Sequence, residues 1–137
     1  MNTANVSRQT LIDTLRRTTA RHPDKLAIKQ HDQCWTYQDF YQRCTEVAGG
    51  LSRLGIEPGD RVAILSRNSS TFALARYAVA AMGGVLVPVN FMLNANEAAY
   101  ILNHCEARLL LVGKDELGNA QQLSALCPAI EHMVWMG

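Results

Sequence analysis

The sequence lacks almost every feature that assigns a chemistry on sight. Its four cysteines, Cys34, Cys44, Cys105 and Cys127, form no CxxC pair and have no histidine at zinc spacing, so neither a metal knuckle nor a disulfide framework can be read. Free thiols fit a reducing compartment, and the expectation is a cytoplasmic protein. Excess charge is missing as well: 13 Lys and Arg stand against 12 Asp and Glu, a formal balance of +1. A field that small does not hold a phosphate backbone or an anionic membrane, which removes nucleic acid from the expected partners. Residues 1–20 contain no apolar core of a signal peptide. The one long apolar stretch, residues 72–93, is interrupted by Arg76, Gly83-Gly84, Pro88 and Asn90, so it reads as helix, turn and buried strand and not as a transmembrane segment. No internal repeat or low-complexity run is present.

What is present is a core. The chain has 137 residues, 48% hydrophobic and 18% charged, the balance of one globular unit. Leu11, Ile12, Leu15 and Ala20 recur at helical spacing behind Thr10, with Asp13 three residues after that cap and His22-Pro23 as the stop. Residues 25–30 and 34–36 read as two short strands around His31-Asp32-Gln33. Thr36 then caps a helix carrying Phe40, Cys44, Val47, Ala48 and Leu51, closed by Gly55. Gly49-Gly50 inside it predicts the close approach of another backbone. Residues 61–66, 85–89 and 108–112 are continuous apolar runs, the pattern of strands buried on both faces. Between them lie a helix capped from Asn68-Ser69-Ser70 and a second with the Asn94/Glu97 capping box, and a third runs from Asp115 to about Leu126 before a last strand over residues 132–136.

Strands alternating with helices of this length predict an α/β fold: an open, mostly parallel sheet with helices on both faces, preceded by a helix and a short β-hairpin. In such a sheet the ligand crevice lies beyond the carboxyl ends of the strands, here residues 66–69 and 88–91. Asn68 and Asn90 are polar groups in position to line it, while a helix cap at Asn68 and a bend satisfied by Asn90 explain the same letters. The glycine-rich turn of a dinucleotide site is absent, and Gly113-Lys114-Asp115 lacks the upstream glycine and the hydroxyl residue of a phosphate loop, so ATP binding by this chain alone is not expected. Ser66 and Val89 stand where a phosphoacceptor would need carboxylates. His104-Cys105 could suggest an activated thiol, but adjacent helical residues point about 100° apart, and Cys105 reads as a core thiol. No catalytic residue and no metal site is expected within the chain.

Pro23-Asp24-Lys25, Trp35-Thr36-Tyr37, the run Gly55-Ile56-Glu57-Pro58-Gly59-Asp60-Arg61-Val62-Ala63, and Gly84-Val85-Leu86-Val87-Pro88-Val89-Asn90 together resemble the start of the AMP-forming adenylate ligases. The continuation through Phe91-Met92-Leu93, Asn94-Ala95-Asn96-Glu97 and Tyr100-Ile101-Leu102 is most similar to the fatty acyl-CoA synthetase branch. The resemblance implies a two-step enzyme in which a fatty or other carboxylic acid reacts with ATP, assisted by Mg2+, to an acyl-adenylate and pyrophosphate, and coenzyme A then takes the acyl group. It implies that residues 1–137 are the N-terminal part of the large AMP-binding domain. The family's phosphate loop and its mobile C-terminal domain fall beyond residue 137, so none of its principal catalytic groups maps onto a position here. Pro88, with Asn68 and Asn90, becomes a candidate to stand one layer behind the substrate. The sequence stops at Gly137 with a strand just completed, which favours the leading piece of a synthetase, inactive by itself. The alternative is a stand-alone, non-catalytic binding or assembly module of the same fold. Either way the sheet is expected to end in an exposed edge through which copies of the chain could associate.

Overall fold

A computed structural model describes residues 10–137. The part of the leader expectation that falls on residues 1–9 lies outside them. Helix α1 (Leu11–Arg21) leads into a hairpin of β1 (Leu26–Gln30) and β2 (Gln33–Thr36), then helix α2 (Tyr37–Arg53). A strand–helix alternation follows: β3 (Arg61–Leu65), α3 (Ser70–Ala81), β4 (Val85–Val89), α4 (Ala95–His104), β5 (Leu109–Val112), α5 (Leu117–Leu126) and β6 (His132–Trp135).

The helix starts are where short polar side chains predict them. Thr10, Thr36 and Asn94 each accept a hydrogen bond from the backbone three residues on, while Asp13, Asp39 and Glu97 reach back to the cap, closing three capping boxes. Of the three consecutive candidates before α3, the cap is Ser69, whose Oγ accepts from the Phe72 amide at 3.0 Å, and not Asn68. The last helix also begins later than its sequence suggests. Residues Lys114–Glu116 form a tight 3-10 turn and the α-helix opens at Leu117 with no side-chain cap bond.

Strand order is β4-β3-β5-β6, all parallel, with Leu65 opposite Val89 on one side and Val112 on the other. Alternate residues feed opposite faces. Val62, Ile64, Leu109 and Leu111 pack with Leu51 of α2 and with Ala75 and Val79 of α3. Ala63, Leu65, Leu110 and Val112 pack with Ala98 and Leu102 of α4 and with Ala120 and Leu123 of α5. A third cluster, Leu15, Trp35, Phe40 and Cys44, seats α1 and the hairpin against α2, with Tyr77 of α3 edge-on to Phe40 at 5.3 Å. Burial pushes the Cys44 thiol up to about 12, so it is an inert core group.

The Gly49-Gly50 expectation is not met. A Cβ on Gly49 would meet only the Arg53 guanidinium at 3.5 Å, and one on Gly50 the same group at 3.9 Å; no backbone comes near. Where a backbone does come near is Gly113, just past β5. Its amide donates to the Leu65 carbonyl at 2.9 Å, and a Cβ there would stand 2.7 Å from the Ser66 Cβ and 3.1 Å from its Cα.

The opposite, amino-terminal ends of the strands are tied by arginines. Arg108 makes a two-pronged pair with Glu131 at 3.0 and 2.9 Å, bonds Asp60 with its other nitrogen, and donates to the Gly55 carbonyl at 3.3 Å. Arg61 donates to the Cys105 carbonyl at 2.7 Å and to Glu106 at 3.1 Å. Two hydrogen bonds from Arg108 are the leading cause that holds the Glu131 carboxyl below its ordinary value; Asp60 is lowered first by the Glu57 amide at 2.7 Å and then by Arg108.

Both depressed carboxylates contribute stability that is complete above their unfolded values, about pH 4, and is lost as pH falls through their lower folded values. Arg108→Ala is therefore expected to lower the urea midpoint at pH 7 and to have less effect near pH 3. The Glu131 carboxyl should titrate upward in that variant by NMR; an unmoved Glu131 would count against the clamp. Gly113→Ala forces Ser66 and its backbone aside, and we expect a loss of about 1–3 kcal/mol in urea denaturation, part of it recovered by adding Ser66→Gly.

Candidate functional site

The strand order decides where a crevice forms. β3 leads to α3 on one face and β5 leads to α4's neighbour α5 on the other, so the connections leave the sheet in opposite directions between β3 and β5, the place where open α/β sheets bind ligands. A cavity of about 610 Å3 lies there, walled by Arg67, Asn68 and Ser69 after β3, by Lys114 and Asp115 after β5, and by the hairpin tip.

Asn68 is exposed and lines this cavity. Pro88 does not: it borders a separate hollow at the sheet edge with Phe72, Arg76 and Leu86. Asn90 is exposed and its Oδ1 accepts from the Met92 amide at 3.0 Å, the bend-satisfying role that its place after Pro88 also allows. The structure thus brings only Asn68 of the three to the β3/β5 crevice, because β4 is an edge strand and its carboxyl end falls at the border.

Arg67 and Phe91, both within the stretches expected to line the crevice, join with Glu116 to hold it together. The Arg67 guanidinium lies 4.6 Å from the centroid of the Phe91 ring and its Nε is 3.5 Å from Glu116, whose side chain is 5% exposed and takes a second bond from Asn119 at 3.2 Å. One cation therefore joins the segments that follow β3, β4 and β5, and it satisfies a buried carboxylate that would otherwise be costly. In the sequence the link is signalled by position alone: Arg67 and Phe91 fall in the stretches after the first two buried strands, and nothing marks Glu116.

The amino end of α3 is occupied from outside the sheet. Gln30 accepts from the Ser70 amide at 2.6 Å and Gln33 accepts from the Ser70 hydroxyl at 2.7 Å, so the hairpin caps the first turn where an anion would otherwise be drawn. His104 stacks on Tyr100 at 6.0 Å, while the Cys105 thiol, half-buried at the end of α4, donates to the Leu102 carbonyl at 3.4 Å; the two form no nucleophile pair. Among the described residues no group of three His, Cys, Asp or Glu could hold a metal ion, and no helix is long and apolar enough to cross a membrane.

This arrangement has known counterparts. Residues 15–135 match the family described as AMP-binding enzyme. The chain is 40% identical over 101 residues to the long-chain-fatty-acid–CoA ligase of Thermus thermophilus, covering 74% of this chain and 19% of that protein. It is 36% identical over 96 residues to 4-hydroxybutyrate–CoA ligase 2 of Metallosphaera sedula, covering 70% and 18%. The N-terminal domain of FACL13 from Mycobacterium tuberculosis superposes with a TM-score of 0.89 at 26% identity, over 93% of this chain and 34% of that one. The chain spans about a fifth of the length of the curated relatives it matches. With that extent and that architecture in hand, the chain belongs to the AMP-binding enzyme family, among relatives that are acyl-CoA ligases.

Proposed function

We propose that residues 1–137 are the N-terminal part of the large AMP-binding domain of a fatty acyl-CoA synthetase, a ligase that joins a carboxylic acid to coenzyme A through an acyl-adenylate. The observation that carries this reading is the match over residues 15–135 on a sheet whose crevice opens between β3 and β5. The fatty-acid assignment leans on the identity to the Thermus ligase. The residues present do not complete a nucleotide site. The Ser70 amide is taken by Gln30, Arg67 is paired with Glu116, and no Gly-rich cradle stands at either strand end. ATP, Mg2+ and coenzyme A therefore belong to the longer protein, where phosphoryl chemistry has the donors it needs.

Within that protein the chain builds one wall. Asn68 stands on the crevice, one layer behind the substrate, while Pro88 and Asn90, set off at the border strand, shape the end of β4. Free thiols, two of them buried, support a reducing, cytoplasmic setting. β4 and β6 each have a single neighbour, and the β6 edge carries no proline, so the isolated chain self-associates through its sheet edge. Light scattering across a concentration series is expected to show mass rising above 15.1 kDa; a monomer at every concentration overturns the association.

The function is tested by immunoprecipitation from source cells with an antibody against this chain, followed by assays on the captured protein. A band several times larger than 15.1 kDa that forms acyl-CoA from fatty acids is the expected result, with no pyrophosphate released from ATP and a fatty acid by the purified chain itself. A large band active only on other carboxylates overturns the fatty-acid assignment. A band at 15.1 kDa alone overturns the synthetase reading and favours a binding or assembly module.

A further inference from the structure

The fold sorts the four cysteines into unlike places. Cys34 lies exposed on β2, and Cys44 is sealed against α1 and the hairpin. Cys105 and Cys127 belong together, in the core that α4 and α5 build on the other face of the main sheet. Each closes its helix, Cys105 as the C-cap of α4 and Cys127 as the C-cap of α5. Cys105 ends the row Ala98, Leu102, Cys105, and Cys127 ends the row Ala120, Leu123, Cys127, the three- and four-residue steps that keep side chains on one helix face. Both rows pack into the same cluster.

Hydrogen bonds bracket the pair. Just before the cysteines the Asn103 side-chain amide donates to the Leu126 carbonyl at 2.9 Å, and just after them the Glu131 amide donates to the Arg108 carbonyl at 2.8 Å. Two short arms of chain therefore run side by side between fixed ties, one cysteine on each. Their surroundings differ. Cys127 is buried, and burial first and the nearby Cys105 second hold its thiol above the ordinary value. Cys105 is half-buried, within reach of a small solute, and its thiol donates to the Leu102 carbonyl at 3.4 Å.

We infer that Cys105 and Cys127 are a redox pair: hydrogen peroxide oxidises Cys105, and Cys127 resolves it to a reversible disulfide that joins the ends of α4 and α5. In the first step the Cys105 thiolate attacks a peroxide oxygen and the O–O bond breaks; Cys105 becomes a sulfenic acid, and the departing hydroxide takes up the thiol's proton as water. In the second the Cys127 sulfur attacks the Cys105 sulfur and the S–O bond breaks, hydroxide leaving as water with the Cys127 proton. The two thiols give up two electrons in all, and the peroxide takes both. What the pair gains is reversibility, since a sulfenic acid left alone runs on to acids that thiols do not reduce. The inference goes beyond the ligase reading and draws nothing from it.

The test treats the folded chain carrying Cys34→Ser, which removes the exposed competitor, with hydrogen peroxide, alkylates the remaining thiols and reads the mass under denaturing, non-reducing conditions. Expected are a single-chain product lacking two hydrogens, a non-reduced peptide joining residues 105 and 127, return of the parent mass with dithiothreitol, and a higher urea midpoint for the oxidised form. Added to that background, Cys127→Ala should leave Cys105 as a sulfenic acid that dimedone traps, and Cys105→Ser should leave Cys127 a free thiol. Cys105 is half-buried, so Cys105→Ser decides the matter even if Cys127→Ala fails to fold. In denaturing urea the same treatment should scatter the links among Cys44, Cys105 and Cys127. The inference is overturned if the folded chain only gains oxygen, if Cys105→Ser still forms an internal link, if the link joins two chains, or if folded and denatured chains give the same mixture. No nucleotide, acid or coenzyme A enters the experiment, so its failure leaves the ligase reading standing.

Discussion

The pairing of β3 with β5 is the constraint on which the rest of the structure depends. Val62 to Leu65 lie in register with Leu109 to Val112, and both strands are buried on both faces. Because β4 has already taken the other side of β3, this pairing fixes the strand order, places α3 and the later helices on opposite faces, and opens the crevice between the two carboxyl ends. It also brings Gly113 against Ser66 so closely that no side chain fits between them. A parallel pair of such sequence separation has no turn to set its register, and two unbroken apolar runs carry no alternation to set it either, so the flanking polar groups and the fit of side chains on each face must do it.

Those polar groups divide by end. At the amino ends Arg108 and Arg61 bind carboxylates and carbonyls of the turns, which fastens β3, β5 and the start of β6 to one another. At the carboxyl ends a single exposed arginine, Arg67, reaches Phe91 and Glu116 and leaves the crevice floor open. The sheet is thus braced at its amino ends and lightly tied at its carboxyl ends. Among the described residues large apolar side chains stay exposed at several places, Met92, Tyr100 and Trp135 among them.

Local signals made the elements legible from sequence. A capping Thr or Asn with an acid three residues later located α1, α2 and α4, and unbroken apolar runs located β3, β4 and β5. Competition among equals hid the α3 cap, since Asn68, Ser69 and Ser70 are all suitable and only the approach of the hairpin selects Ser69. Order in the sheet was not legible, and with it went the site: Pro88 and Asn90 end a strand as Ser66 does, yet β4 lies at the border. Gly49-Gly50 predicts a close approach that the described chain does not make, because a glycine pair shows that room exists and not that another element fills it. The link from Arg67 through Phe91 to Glu116 joins three segments far apart in sequence, a relation no spacing rule detects.

The two glutamines that hold the start of α3 have a wider consequence. Gln30 and Gln33 belong to a hairpin outside the main sheet, yet their side chains complete the first turn of a helix that borders the crevice. The edge of the crevice is in this way written in a part of the chain that contributes no strand to it. Sequence drift in the hairpin reaches the crevice directly: a residue too short to span the gap would leave the Ser70 amide to water or to whatever anion arrives. Two related proteins with identical strand ends could then differ in what they admit through their hairpins alone.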